Sequence, residues 1–113
     1  MIRIGEAHVS DQAMTAIVRG AVELVPGARL DTPGRVSRVL PGRRGPLEWS
    51  LTDDTVTFDV DIVAAQGTVL PELGAQVRDS VARHVRVMTG LAVPAVDVTV
   101  TGVDPASDRV HRG

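Results

Sequence analysis

The sequence predicts an α+β fold, a two-layer sandwich in which two helices lie on one face of a mostly antiparallel sheet. Two segments carry apolar residues at helical spacing, two consecutive segments alternate apolar and polar residues around a short turn, and one more alternating segment lies near the end of the chain. Each of these elements has one apolar face, and packing the helices on the sheet buries those faces together. The predicted order is β-α-β-β-α-β.

The first strand and the first helix are separated by a serine that suits the start of a helix. The strand covers residues 4–9, and Ser10 can accept a hydrogen bond from the first amides of a helix that begins at Asp11. Pro26 and Gly27 follow the helix and end it. Its apolar positions recur at helical spacing and predict one buried face: Met14, Ile17, Val18, Ala21, Val22 and Val25.

Two alternating segments on either side of Asp53 and Asp54 predict a β-hairpin with one apolar face. In the first segment Leu47, Trp49 and Leu51 alternate with Glu48, Ser50 and Thr52; in the second Val56, Phe58, Val60 and Ile62 alternate with Thr57, Asp59 and Asp61.

The second helix and the last strand complete the predicted sandwich. Pro71 suits the first turn of the helix and Gly90 suits the left-handed position after its end. A strand is predicted over residues 96–103. We expect one domain over residues 1–103 and a flexible tail over 104–113. The apolar side of the helix comprises Leu70, Leu73, Val77, Val81, Val85 and Met88.

Composition narrows the possible functions. The 113 residues contain no cysteine, which excludes disulfides and thiolate chemistry, and their only aromatic residues are Trp49 and Phe58. A sheet that reads RNA needs aromatic platforms, so nucleic-acid binding is disfavoured. No signal peptide and no apolar run of about 18 residues is visible, and a cytoplasmic location is expected.

The sequence contains no recognisable catalytic or metal-binding motif. His8, His84 and His111 are too far apart for metal-ligand spacing, and His84 is expected to be half-buried and bonded to a neighbour. Ser10 is explained as a helix cap, and no Gly-x-Ser-x-Gly motif is present. We therefore expect neither a catalytic residue, nor a metal site, nor a cofactor.

Charge is segregated along the chain. Residues 29–46, here called the basic segment, contain five arginines against one aspartate, a net charge of +4; because the whole chain carries −2, the remainder carries −6. This segment is a candidate for binding anionic lipid headgroups, an acidic partner or nucleic-acid phosphate, and a solvated connector is the alternative. Its candidate interaction residues are Arg35, Arg38, Arg43 and Arg44.

Strand alternation places Glu48, Asp59, Asp61 and Asp97 on the sheet face opposite the apolar one. Three interpretations are open. In the first, the face is solvated. In the second, it binds a cation such as calcium, although calcium usually takes six or more oxygen ligands from a shaped loop. In the third, the basic segment of one copy docks on the acidic face of the next, which forms rings or filaments and weakens with salt.

Several segments together resemble the bacterial alkaline shock protein family. The run from Gly5 to Asp11 is similar to the opening strand-to-helix signature of that family. The run from Met88 to Leu91, followed by Val96 to Val103, is similar to its closing motif, with Asp97 where asparagine is common. The resemblance covers residues 4–103, whereas residues 28–46 follow no family pattern. The central strand and helix are also similar, over Val56 to Val63, Gly67, Leu70, Pro71, Glu72 and Val77 to Val81.

The resemblance implies a non-enzymatic protein of the envelope stress response. Such a protein is cytoplasmic, self-associates as a homo-oligomer, and is held at the inner face of the membrane by a separate membrane-anchored protein partner. An alternative of a different class is a regulatory binding module that contacts an enzyme of lipid metabolism, or the anionic membrane surface, through the basic segment.

Overall fold

The computed structural model describes residues 2–4, 7–31 and 45–105, which form two helices and six strands. The α+β class and the mostly antiparallel main sheet agree with the prediction. In chain order the elements are β1 (Ile2–Ile4), β2 (Ala7–Val9), α1 (Asp11–Glu23), β3 (Ala28–Leu30), β4 (Leu47–Thr52), β5 (Thr55–Ala65), α2 (Leu70–Thr89) and β6 (Ala92–Asp104).

Strand β5 is the centre of the main sheet. Strand β4 pairs antiparallel with its first half and β3 pairs antiparallel with its second half, so β3 and β4 lie end to end along one side of β5. Strand β6 pairs parallel with β5 on the other side. Helix α2 connects β5 to β6, and a crossover of this kind is what joins parallel neighbours.

The ends of the helices follow the predicted signals. Ser10 Oγ accepts a hydrogen bond of 3.1 Å from the Ala13 amide at the start of α1. Pro71 lies in the first turn of α2, and Gly90 ends that helix with φ 79°, a left-handed conformation that glycine adopts without steric cost. Helix α1 ends at Glu23, a few residues before the predicted stop.

The core lies between the helices and one face of the main sheet. Ser80 Oγ donates a buried hydrogen bond of 2.7 Å to the carbonyl of Ala21, which joins α2 to α1 inside this layer. On the sheet, Trp49 and Phe58 face each other across β4 and β5 with ring centroids 6.5 Å apart. The largest fully buried side chains of this core are Met14, Val18 and Val22 of α1, Val56, Val60 and Ile62 of β5, and Leu73, Val77, Val81 and Val85 of α2.

The fold differs from the prediction in its short strands. The single strand predicted over residues 4–9 is a two-stranded unit in which β1 and β2 pair with each other and not with the main sheet. Strand β3 was not predicted, because three residues are too few to show a period. Strand β6 begins four residues earlier than predicted, in a stretch where Pro94 and Ala95 break the alternation.

Two residues assigned to the apolar side of α2 are exposed instead of buried. Leu70 retains 40% of its accessible surface and Met88 retains 64%. Both lie in the terminal turns of a 20-residue helix, whereas the positions between them pack on the sheet. The exposed end at Met88 contributes to a surface described below.

Candidate interaction surfaces

Three carboxylates line up across the main sheet on the face away from the helices. Glu48 of β4 is directly opposite Asp59 of β5, and Asp59 is directly opposite Asp97 of β6. We call these three residues the acidic row. Glu48 and Asp59 are half-buried and Asp97 is exposed. Directly opposed residues on neighbouring strands have Cβ atoms about 5 Å apart, so Asp59 has a like charge close by on each side.

The surroundings of the acidic row are polar and shallow. Ser50 and Thr57, the next opposed pair on the same face of β4 and β5, share a hydrogen bond of 3.1 Å between their hydroxyls. These hydroxyls and the carboxylates of Glu48 and Asp59 line an open depression. Like charges directly opposed across strands destabilise a sheet, so this arrangement favours a positively charged group from outside the row.

Asp61 does not belong to this exposed surface, although strand alternation placed it on the same face. Its side chain is completely buried, as is that of Val63 two residues later. Its backbone carbonyl accepts from the Asp31 amide at 2.9 Å, and its own amide donates to the carbonyl of Pro46 at 2.8 Å. The face opposite the helices is therefore exposed at the acidic row and covered around Asp61.

Arg29, at the start of the basic segment, is engaged within the chain. Its Nε and a terminal nitrogen contact the two carboxylate oxygens of Asp104 at 2.9 and 3.0 Å. This hydrogen-bonded contact raises the pKa of Arg29 above its usual value. Nearby, the hydroxyl of Thr101 donates to the buried Asp31 carboxylate at 2.7 Å. The remaining charge of the segment rests on Arg35, Arg38, Arg43 and Arg44, which lie outside the described residues.

A second surface, which the sequence analysis did not identify, lies on the outer side of the helix layer. We call it the interhelix groove. Two of its large apolar members are exposed, since Leu24 retains 65% and Met88 64% of their accessible surface, whereas Ile17 is half-buried. Val87, next to Met88 in the sequence, retains 75%. The groove is lined almost entirely by apolar atoms, from Ala16, Ile17, Gly20, Ala21 and Leu24 on the side of α1 and from His84 and Met88 on the side of α2.

The residues along the groove establish how the helices run. Ile17 lines it together with His84 and Met88, whereas Leu24 also lies beside Gln76 and Ser80. Later positions of α1 therefore meet earlier positions of α2, and the two helices are antiparallel. His84 is half-buried, with Nδ1 2.8 Å from the Ser80 carbonyl, as the sequence analysis expected.

One signal for the groove was present in the sequence. Gly20 lies inside α1, where glycine is about 1 kcal/mol less favourable than alanine. Its φ is not in the left-handed region, and a Cβ built on it would meet nothing within 4 Å among the described residues. Neither backbone conformation nor packing within the described chain accounts for a glycine at this position.

Neither surface has the features of a metal centre or a membrane span. Among the described residues no group of three or more histidine, aspartate or glutamate side chains is arranged to hold a metal ion. The side chain of His8 and the whole of His111 lie outside those residues. Neither of the described helices is long and apolar enough to cross a bilayer.

Comparison with known proteins identifies a family over almost the whole chain. Residues 2–105 match the family model of alkaline shock protein 23, which is described as having a cell envelope-related function. The chain shows no significant match to a curated protein or to a solved structure.

Proposed function

This chain belongs to the alkaline shock protein family, whose function is related to the cell envelope, and on that premise we propose that it is a non-enzymatic scaffold of the envelope stress response. In this proposal the chain self-associates and is held at the cytoplasmic face of the membrane by a membrane-anchored protein. We propose a single domain that runs through Asp104, one residue past the predicted boundary, because Asp104 ends β6 and pairs with Arg29, and a tail over the residues that follow.

The acidic row is the observation that carries the self-association part of the proposal. Asp59 lies directly between Glu48 and Asp97, and three carboxylates in one row attract a cation from another molecule. The same chain supplies cations in Arg35, Arg38, Arg43 and Arg44. Docking of these arginines on the acidic row of the next copy is a head-to-tail contact, which extends into rings or filaments.

Sedimentation velocity across a salt series tests the charge contact. We expect assemblies larger than a dimer at low salt, and their loss near 1 M salt, where the screening length falls to about 3 Å. Arg43→Glu with Arg44→Glu should prevent these assemblies, and Asp59→Lys with Asp97→Lys should also prevent them. Mixing the two charge-reversed proteins should restore assembly, because each supplies the surface that the other lacks.

A matched control changes the same charge away from the row. Asp54 is exposed in the hairpin turn, and Asp54→Lys should leave the assemblies intact. Assembly that is indifferent to salt and to both charge reversals would contradict the proposed contact.

A second candidate function rests on the basic segment alone. Four arginines within ten residues favour binding to anionic headgroups, which would make the chain a regulatory module that contacts the membrane surface directly. Flotation with phosphatidylcholine vesicles, with and without phosphatidylglycerol, separates the two candidates. The scaffold proposal expects no flotation of the purified chain until membrane proteins from envelope fractions are added to the vesicles. Flotation by phosphatidylglycerol alone, lost in the Arg43→Glu and Arg44→Glu protein, supports the second candidate instead.

A further inference from the structure

The interhelix groove is an apolar surface that the described helices leave open, and its residues complement a second copy of themselves. We propose that two copies of this chain pack groove to groove around a two-fold axis that passes close to Gly20. This inference rests on the proposed self-association and assigns to it a second contact, distinct from the acidic row in chemistry and in symmetry.

Gly20 provides the first argument. An isolated chain gains nothing from a glycine here, because a Cβ at this position would meet no neighbour among the described residues and the backbone is helical. Glycine does allow another backbone to come close, which a methyl group at the same point would prevent. Gly74 of α2 is equally open, but it does not line the groove, so glycine alone does not define the surface.

The residues on either side of Gly20 provide the second argument, through their sizes. Ala16 and Leu24 lie four residues before and four residues after Gly20, so all three follow one side of α1. Antiparallel packing of two α1 helices around Gly20 places Leu24 of one copy over Ala16 of the other, and the reverse. Each exposed Leu24 side chain therefore packs on the small Ala16 side chain of the other copy, and symmetry repeats this contact. Met88, which lines the groove together with Ala16, borders the same contact.

Gly20→Ala is the direct test, and Gly74→Ala is its matched control. Both substitutions replace a helical glycine that has open space around it, so each should shift the folding equilibrium of the unassembled chain toward the native state by up to about fivefold. Sedimentation equilibrium in 1 M salt isolates the apolar contact, because charge contacts are screened there. We expect the wild-type chain and Gly74→Ala to dimerise equally well, and Gly20→Ala to weaken the dimer at least tenfold.

Disulfide trapping tests the geometry independently, because the natural chain has no cysteine. A mixture of Leu24→Cys and Ala16→Cys proteins should form a disulfide-linked dimer under mild oxidation. Leu24→Cys alone should form it much more slowly, because the two Leu24 positions are about two helical turns, roughly 12 Å, apart along the antiparallel pair.

The outcomes separate this inference from the proposed function. If Gly20→Ala and Gly74→Ala dimerise with the same constant, or if the mixed cysteine variants do not cross-link faster than Leu24→Cys alone, the groove contact is wrong. Assembly that persists at low salt and responds only to the charge reversals leaves the proposed function in place without this contact. A chain that stays monomeric at every salt concentration overturns both. Flotation of the wild-type chain on phosphatidylcholine vesicles, lost in Leu24→Asp, also overturns the groove contact, because the groove then binds lipid.

Discussion

Replacing Asp59 by asparagine should make the isolated chain more stable, which is unusual for a substitution in the central strand of a sheet. Asp59 is directly opposite Glu48 on one side and Asp97 on the other, and all three side chains are on the face away from the helices. Asparagine keeps the shape of the side chain and removes its charge. The substitution therefore removes both like-charge contacts while the packing of β5 stays the same.

The register of the strands determines the size of the effect. Two unit charges about 5 Å apart in water repel by roughly 0.8 kcal/mol, and salt near 0.15 M reduces this by about half, because the screening length is about 8 Å. Each contact then costs about 0.4 kcal/mol, within the range of about 0.2–1 kcal/mol for cross-strand charge pairs. We expect Asp59→Asn to gain about 0.8 kcal/mol and Asp97→Asn, which has one neighbour in the row, about half as much.

Urea unfolding followed by circular dichroism measures these differences, at protein concentrations at which the chain is unassembled. In 1 M salt the gains should nearly vanish. In a double-mutant cycle, Asp97→Asn should add nothing once Asp59 is replaced, because the only neighbour of Asp97 in the row has then lost its charge. A loss of stability in Asp59→Asn, or equal gains for the two substitutions without dependence on salt, would refute the assignment of the acidic row.

Three further substitutions test the rest of the structure by the same unfolding measurement. Ser80→Ala removes the buried hydrogen bond to the Ala21 carbonyl and should lower the free energy of unfolding by about 1 kcal/mol. Ser50→Ala, in the exposed hydroxyl pair with Thr57, should lower it much less. Equal losses would contradict the buried link between the helices. Gly90→Ala should cost about 1 kcal/mol because its φ is 79°, and a neutral result would contradict the left-handed cap. Met14→Ala should cost about 2–5 kcal/mol because its side chain is fully buried, and a loss below about 1 kcal/mol would place that side chain outside the core.

The sequence was sufficient to predict those parts of the fold that depend on local chemistry. Ser10 and Gly90 are end signals that act within one turn of a helix, and the repeat of apolar residues in α1 and α2 spans several turns, so tertiary structure did not override them. The hairpin also followed from alternation on either side of Asp53 and Asp54. Pairing between distant strands has no such local signal. The three residues of β3 and the parallel pairing of β6 with β5 therefore emerged only in the structure.

The lack of a local signal for strand pairing also explains why only part of the acidic row was predicted. Alternation reports the face of a side chain, and it assigned Glu48, Asp59 and Asp97 to one face correctly. It carries no information on register, so it did not show that the three carboxylates are directly opposed. Nor does it report depth, and Asp61 is completely buried on the face where it was expected to be solvated.

The interhelix groove was missed because an apolar pattern is normally assigned to the core. Met88 continued the apolar repeat of α2 and was placed inside, although its side chain is exposed and lines the groove between the two helices. Leu24 lies directly after the last helical residue of α1, where the repeat has ended. Gly20 was a sign that the sequence shared with Gly74, which interrupts α2 in the same way without lining the groove.

The two surfaces share a property that bears on function. The acidic row sets like charges side by side, and Gly20 weakens a helix that has room for alanine, so each lowers the stability of the isolated chain. Local rules are broken in this way where another requirement outweighs folding. Arginines from another copy would relieve the charge at the row, and a helix from another copy would use the space at Gly20. An assembly would therefore offset both costs, and assembly is the state that the proposed scaffold function requires.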